Sequence, residues 1–136
     1  MRSVRTILLI EDEIDLLEVM AFALQREGYE VLAAADSAEA ELLLERGLPD
    51  LVVADMMLPG PSGFYVVRLV ADRSEGRVPA IMISGNTSTA HRDYALAAGA
   101  DSFLAKPFAL ADLLGAVHQL CPLPQRRFAA LAGATA

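Results

Sequence analysis

The feature of this sequence that most constrains its fold is a regular alternation of short, unbroken apolar runs with longer amphipathic stretches. Thr6–Ile10 is the first run, and continuous apolarity over so few residues predicts a strand buried on both faces. Ile14–Glu27 then places apolar residues at Leu16, Leu17, Met20 and Leu24, a helical spacing, and Gly28 supplies the stop. Glu30–Ala34 is a second strand. Asp36 with Glu39 resembles a capping box and predicts a helix that runs to Arg46, ahead of Gly47. Residues 51–54 form a third strand, turn material follows at 58–63, and a helix covers about 64–71. Pro79 opens a fourth strand at 80–83, and Ser88 caps a helix that ends before Gly99. Ser102–Ala105 is a fifth strand and Leu110–Leu120 a last helix. Five strands alternating with five helices predict an α/β fold, a doubly wound parallel sheet with right-handed crossovers.

A chain of 136 residues fits one domain, and residues 121–136 read as a C-terminal tail or the stub of a linker. The net charge of −7 excludes the basic face that nucleic acid or an anionic membrane surface requires. The single Cys121 makes no internal disulfide, which suits a reducing cytoplasm. The apolar run Ile7-Leu8-Leu9-Ile10 is too short for a signal-peptide core and is closed at once by Glu11-Asp12-Glu13. No stretch approaches the roughly 18 apolar residues of a membrane span.

In open parallel sheets, ligands bind at the carboxyl ends of the strands. There this sequence places Glu11-Asp12 after strand one, Asp55 after strand three, Ser84-Gly85 after strand four and Lys106-Pro107 after strand five. With strands one, three, four and five as neighbours, these groups converge. Three carboxylates against one ammonium leave a negative excess that is costly at close range, and a divalent cation removes it. The ligands are oxygens, with no cluster of His or Cys, so Mg²⁺ fits and zinc does not. Asp55, ending the central strand, is the natural nucleophile toward a phosphoryl group. Lys106 and Ser84 are placed to meet the phosphoryl oxygens. Each residue has a plainer reading: Glu11-Asp12 as a helix start, Asp55 and Ser84 as turn residues, Lys106 as a solvated loop residue and Phe103 as core. The plainer readings must all hold at four separate strand ends for the convergence to be accidental.

From about residue 5 to residue 120 the chain resembles the receiver domains of two-component response regulators. The resemblance rests on Ile7-Leu8-Leu9-Ile10-Glu11-Asp12-Glu13, on Asp55-Met56-Met57-Leu58-Pro59 with Gly63, on Ile83-Ser84-Gly85, and on Phe103-Leu104-Ala105-Lys106-Pro107-Phe108. It implies a flavodoxin-like strand order 2-1-3-4-5. It implies a signalling phosphoacceptor rather than an enzyme, which takes a phosphoryl group from the phosphohistidine of a sensor histidine kinase or phosphotransfer protein onto Asp55. Asp12 matches a direct Mg²⁺ ligand, Glu11 one acting largely through water, and Met57 one offering its backbone carbonyl. Ser84 and Phe103 match the switch pair, Lys106 the lysine that meets the phosphoryl group, and Pro107 a cis proline that aims it. Met57 and Asn86 match the positions that set the lifetime of the phosphoryl group, Met57 as a shield against the attacking water.

Glu11, Ser84 and Phe103 stand where Asp, Thr and Tyr are commoner in the family, so aromatic switching here would rest on packing alone. Ile14 and Leu17, with Pro107-Phe108, border the pocket as candidate docking contacts, although Leu17 serves equally well as core. On switching, the face made by the fourth helix, fifth strand and fifth helix should change, including His91, Tyr94 and Leu104. The last helix lacks Arg and Lys, which favours a monomer or a weak dimer through that face. The output is not legible: the chain reads as a stand-alone receiver or as one cut from a longer protein.

Three other readings compete. A haloacid-dehalogenase-type hydrolase needs a second Asp where Met57 stands. A flavodoxin-type electron carrier needs a phosphate-cradling loop where Glu11-Asp12-Glu13 would repel the phosphate. A degenerate receiver, acting only as a phosphorylation-independent binding module, would not need the complete set of acids with Ser84 and Lys106.

Overall fold

The computed structural model describes residues 4–58 and 63–124. The elements follow the alternation: β1 (Thr6–Ile10), α1 (Ile14–Glu27), β2 (Glu30–Ala34), α2 (Ser37–Leu44), β3 (Leu51–Asp55), α3 (Gly63–Ser74), β4 (Ala80–Ser84), α4 (Thr89–Ala97), β5 (Ser102–Ala105) and α5 (Leu110–Leu120). The strands pair in parallel in the order β2-β1-β3-β4-β5, as the family resemblance implies. The chain is thus a five-stranded, flavodoxin-like α/β domain.

The apolar runs are unbroken because the sheet is covered twice. Successive side chains of a strand point to opposite faces. Ile7 and Leu9 of β1 join Leu17, Met20 and Leu24 of α1 and Leu113 and Val117 of α5 in one core. Leu8 and Ile10 join Ala40 and Leu44 of α2, Val66, Val67 and Val70 of α3 and Ala95 of α4 in the other. A fully buried strand therefore tolerates polar residues only at its ends, which is where the chemistry collects.

The differences from the sequence reading lie at element ends. β3 and β4 each run one residue further, so Asp55 and Ser84 are strand residues, in register with Ile83 and Ala105. α2 stops at Leu44 rather than Arg46. The next three amides bond carbonyls only three residues back, from Glu45 to Leu42, Arg46 to Leu43 and Gly47 to Leu44, which is the tightened last turn common at helix ends. α3 is longer than expected at both ends. Its polar tail is retained because the buried Ser74 hydroxyl accepts the Val78 amide at 3.2 Å. Residues 59–62, expected as turn material, and residues 125–136 of the expected tail lie outside the described residues. No helix among the described residues is long and apolar enough to cross a membrane.

Candidate functional site

The register brings four strand ends together. β1 delivers Glu11 and Asp12, β3 delivers Asp55, β4 delivers Ser84, and β5 delivers Lys106, whose backbone N–H bonds the Ser84 carbonyl at 2.9 Å. The chain then turns through a cis Lys106–Pro107 bond. Gly63 closes the site from below: a Cβ there would collide with the Asp55 carbonyl oxygen, so α3 starts against the backbone of Asp55 only because the residue is glycine.

The Lys106 ammonium donates to Asp55 Oδ2 at 2.8 Å. It also lies 2.9 Å from Glu11 Oε1 and 3.6 Å from Glu13 Oε1. Burial pulls the Lys106 ammonium toward neutrality, but its bond to Asp55 and its pairing with Glu11 outweigh that and hold its pKa above the ordinary lysine value. Asp55 Oδ1 accepts the Met57 amide at 2.8 Å. Glu11 is fully buried, and burial pushes its carboxyl above the usual carboxylate range, against the lowering effects of the Glu13 amide and Lys106. Its Oε2 accepts that amide at 3.0 Å. Its Oε1 is close to Lys106 but not aligned for a hydrogen bond, and is left without a hydrogen-bond partner.

Glu11, Asp12 and Asp55 each offer an oxygen, and these oxygens lie within 4.8 Å of one another. A buried carboxylate oxygen without a hydrogen bond, in an all-oxygen cluster, fits a hard divalent cation that retains waters, as Mg²⁺ does.

The other expected residues fall around this cluster. Ser84 is fully buried, and its hydroxyl accepts the Asn86 amide at 3.0 Å and lies 3.2 Å from His91 Nε2. Met57 is exposed beside Asp55. The Asn86 carboxamide oxygen accepts the Ser88 amide at 3.1 Å, so it belongs to the loop rather than to the pocket. Phe103 is half-buried and packs on the core, but not by packing alone: the Arg92 guanidinium sits 5.2 Å from its ring centroid. Of the docking candidates, Ile14 is exposed, whereas Leu17 is core. Sequence reasoning singled out Gly63 without its role, and missed two partners: Arg92, and His91 as a neighbour of Ser84. Neither partner left a signal in the sequence.

A flavodoxin-like sheet with an acidic triad and a lysine at its carboxyl edge defines an acidic-pocket α/β domain built for phosphoryl or metal chemistry. Comparison with known proteins narrows that class. The model for response regulator receiver domains matches residues 7–118. The chain belongs to that family and is a receiver domain of the two-component response regulators. It is 38% identical over 115 residues to the phosphate regulon transcriptional regulatory protein PhoB of Rhizobium meliloti (strain 1021), covering 84% of this chain and 51% of the relative. It is 35% identical over 113 residues to the sensory transduction protein RegX3 of Mycolicibacterium smegmatis, covering 83% of this chain and 49% of the relative. The chain thus spans about half the length of these curated relatives. Among solved structures, the chemotaxis response regulator CheY4 of Vibrio cholerae superposes with a TM-score of 0.80 at 30% identity, covering 86% of this chain and 98% of that one. A CheY-like receiver from Methanospirillum hungatei gives 0.79 at 30% identity, covering 86% and 93%.

Proposed function

We propose that Asp55 is the phosphoacceptor of this receiver, which takes up residues 5–120, and that Mg²⁺ held by Glu11, Asp12, Asp55 and the Met57 backbone carbonyl is required for the transfer. One observation carries the reading: the Lys106 ammonium is bonded to Asp55, and Glu11, Asp12 and Asp55 offer oxygens within 4.8 Å of one another. When bound, the cation supplies positive charge to the phosphoryl oxygens. The residues do the rest. An Asp55 oxygen forms a bond to phosphorus as the phosphorus–nitrogen bond of the donor phosphohistidine breaks, and the donor imidazole takes a proton from solvent. Lys106 transfers its hydrogen bond from Asp55 to a phosphoryl oxygen, and Ser84 donates to another. Phe103 then turns inward, altering the face of α4, β5 and α5. The donor is a histidine kinase or phosphotransfer protein in the cytoplasm, docking over the exposed Ile14 and the Pro107-Phe108 loop. The chain itself makes no direct contact with nucleic acid, a reading that rests on its negative charge.

Met57 stands exposed beside Asp55 and shields the phosphoryl group from in-line water. Asn86, its carboxamide oxygen engaged by Ser88, adds little. The Met57→Asn variant is expected to lose its phosphoryl group faster than wild type; an unchanged or slower rate would remove the shield from the account. The phosphoacceptor reading itself is tested by titrating beryllofluoride, with and without Mg²⁺, while following backbone amide signals. Saturable, Mg²⁺-dependent shifts at Asp55 and Ser84 are expected. Their absence would favour the degenerate, phosphorylation-independent module.

A further inference from the structure

The loop between β4 and α4 closes on itself. Ser84 Oγ accepts the Asn86 amide at 3.0 Å, and Asn86 Oδ1 accepts the Ser88 amide at 3.1 Å. Ser88 Oγ, the cap of α4, accepts the His91 amide at 3.2 Å. His91 Nε2 returns to Ser84 Oγ at 3.2 Å. The circuit begins and ends on one hydroxyl.

A serine hydroxyl has one proton to donate. Ser84 is fully buried, and a buried hydroxyl proton requires an acceptor. Its two partners here are the Asn86 amide, itself a donor, and His91 Nε2. The assignment that gives this hydroxyl an acceptor has Ser84 Oγ donating to Nε2, with the ring proton on Nδ1. The ring is held there by Phe64 of α3, edge-on at 6.1 Å, and Phe64 in turn packs on Tyr94 of α4 at 4.3 Å.

We propose that His91 is a positioning residue that restrains Ser84: its Nε2 competes with the phosphoryl group at Asp55 for the single Ser84 proton, so that Ser84 must release His91 to complete the phosphorylated site. The proposal rests on the phosphoacceptor reading and adds a partner to it. It also gives the site a hydrogen-bonded route to its output face. When Ser84 lets go, the first turn of α4 loses its side-chain tie to the end of β4, and the stack of His91, Phe64 and Tyr94 is freed to move.

The test uses beryllofluoride with Mg²⁺ as the probe and four variants of the chain. His91→Phe keeps a ring against Phe64 but offers no acceptor. His91→Gln places an oxygen near the position of Nε2. Beryllofluoride affinity is expected to rise about three- to tenfold in His91→Phe, the factor that one neutral hydrogen bond controls, and to return toward wild type in His91→Gln. In a Ser84→Ala background the His91→Phe substitution should change nothing. Nitrogen chemical shifts of His91 in the free protein should show an unprotonated Nε2, which changes on beryllofluoride addition. Equal affinity of wild type and His91→Phe would overturn the proposal, as would an equal gain in the Ser84→Ala background or a protonated Nε2 in the free protein. Failure of every variant and of wild type to bind beryllofluoride would instead overturn the phosphoacceptor reading, and the proposal with it.

Discussion

The two ends of the sheet carry similar polar residues and use them in opposite ways. At the amino ends of the strands, Asp50 and Asp101 each precede a strand and close a reciprocal pair with the first residue of its neighbour. Thr6 N–H donates to Asp50 Oδ2 at 2.7 Å while Asp50 N–H donates to the Thr6 carbonyl. Ala80 N–H donates to Asp101 Oδ2 at 2.9 Å while Asp101 N–H donates to the Ala80 carbonyl. Tyr29, buried at the same end, donates to the Cys121 carbonyl at 2.7 Å and meets His118 Nδ1 at 3.0 Å, while His118 Nε2 meets Glu27 at 2.8 Å. The Asp50 and Asp101 carboxylates are finished: each has a backbone donor.

At the carboxyl ends, Glu11, Glu13 and Asp55 share one lysine, and a buried oxygen of Glu11 has no hydrogen bond. The contrast teaches where to look for function in a sheet of this kind. Carboxylates that each pair with the backbone of a neighbouring strand hold the fold, and carboxylates that crowd one another around a single cation hold a ligand.

Substitutions at the two ends should separate these roles. The largest effect is expected for Lys106→Met. It leaves Glu11 and Asp55 buried beside each other without their cation, which costs roughly 3 kcal/mol of stability at neutral pH. Added Mg²⁺ should recover part of that, and chemical denaturation with and without the ion measures both. An Asp12→Asn variant should bind Mg²⁺ about 30-fold more weakly. One unit charge about 4 Å from a divalent ion contributes about 2 kcal/mol even at the dielectric of bulk water. The same variant should unfold no more easily than wild type, because it relieves like-charge repulsion. Asp50→Ala and Asp101→Ala should reverse that pattern. Each loses about 1–2 kcal/mol of stability, the usual range for a hydrogen bond to a charged group that is partly solvated, with Mg²⁺ affinity unchanged. A loss of Mg²⁺ affinity in Asp101→Ala would break the division between the two ends.

The smallest effect concerns pH. Burial first, then the Cys121 and Glu27 charges, pushes the Tyr29 hydroxyl up to about 12. A folded pKa above the unfolded value of about 10 means that the unfolded chain loses its proton first, so stability falls between pH 10 and 12. Tyr29→Phe should flatten that slope in alkaline denaturation. An unchanged slope would place the alkaline sensitivity elsewhere.

Much of this was legible in the sequence, for reasons that differ by residue. The strands showed because burial on both faces forbids polar interruptions, so their ends were marked by the first charge. Asp12, Asp55, Ser84 and Lys106 stood out by falling at four such ends. What could not be read depends on contacts across the fold. Nothing in the sequence marks Asp50 and Asp101, because only the register of β1 with β3 and of β4 with β5 reveals the amides they accept. Leu17 and Ile14 are both apolar and adjacent to the pocket in sequence, and only the helix's rotation sends one to the core and the other to solvent. Phe103 carries no sign of Arg92, nor Ser84 of His91, since both partners sit on a helix whose angle to the sheet no local pattern encodes.

The measurement that bears most directly on the central claim is intact mass after treatment with a small-molecule phosphodonor and Mg²⁺. Wild type should gain one phosphoryl group, a gain prevented when Mg²⁺ is chelated before the donor is added, and Asp55→Asn should gain none while remaining folded. Phosphoryl gain in Asp55→Asn equal to that of wild type, or gain by wild type without the ion, would contradict the account.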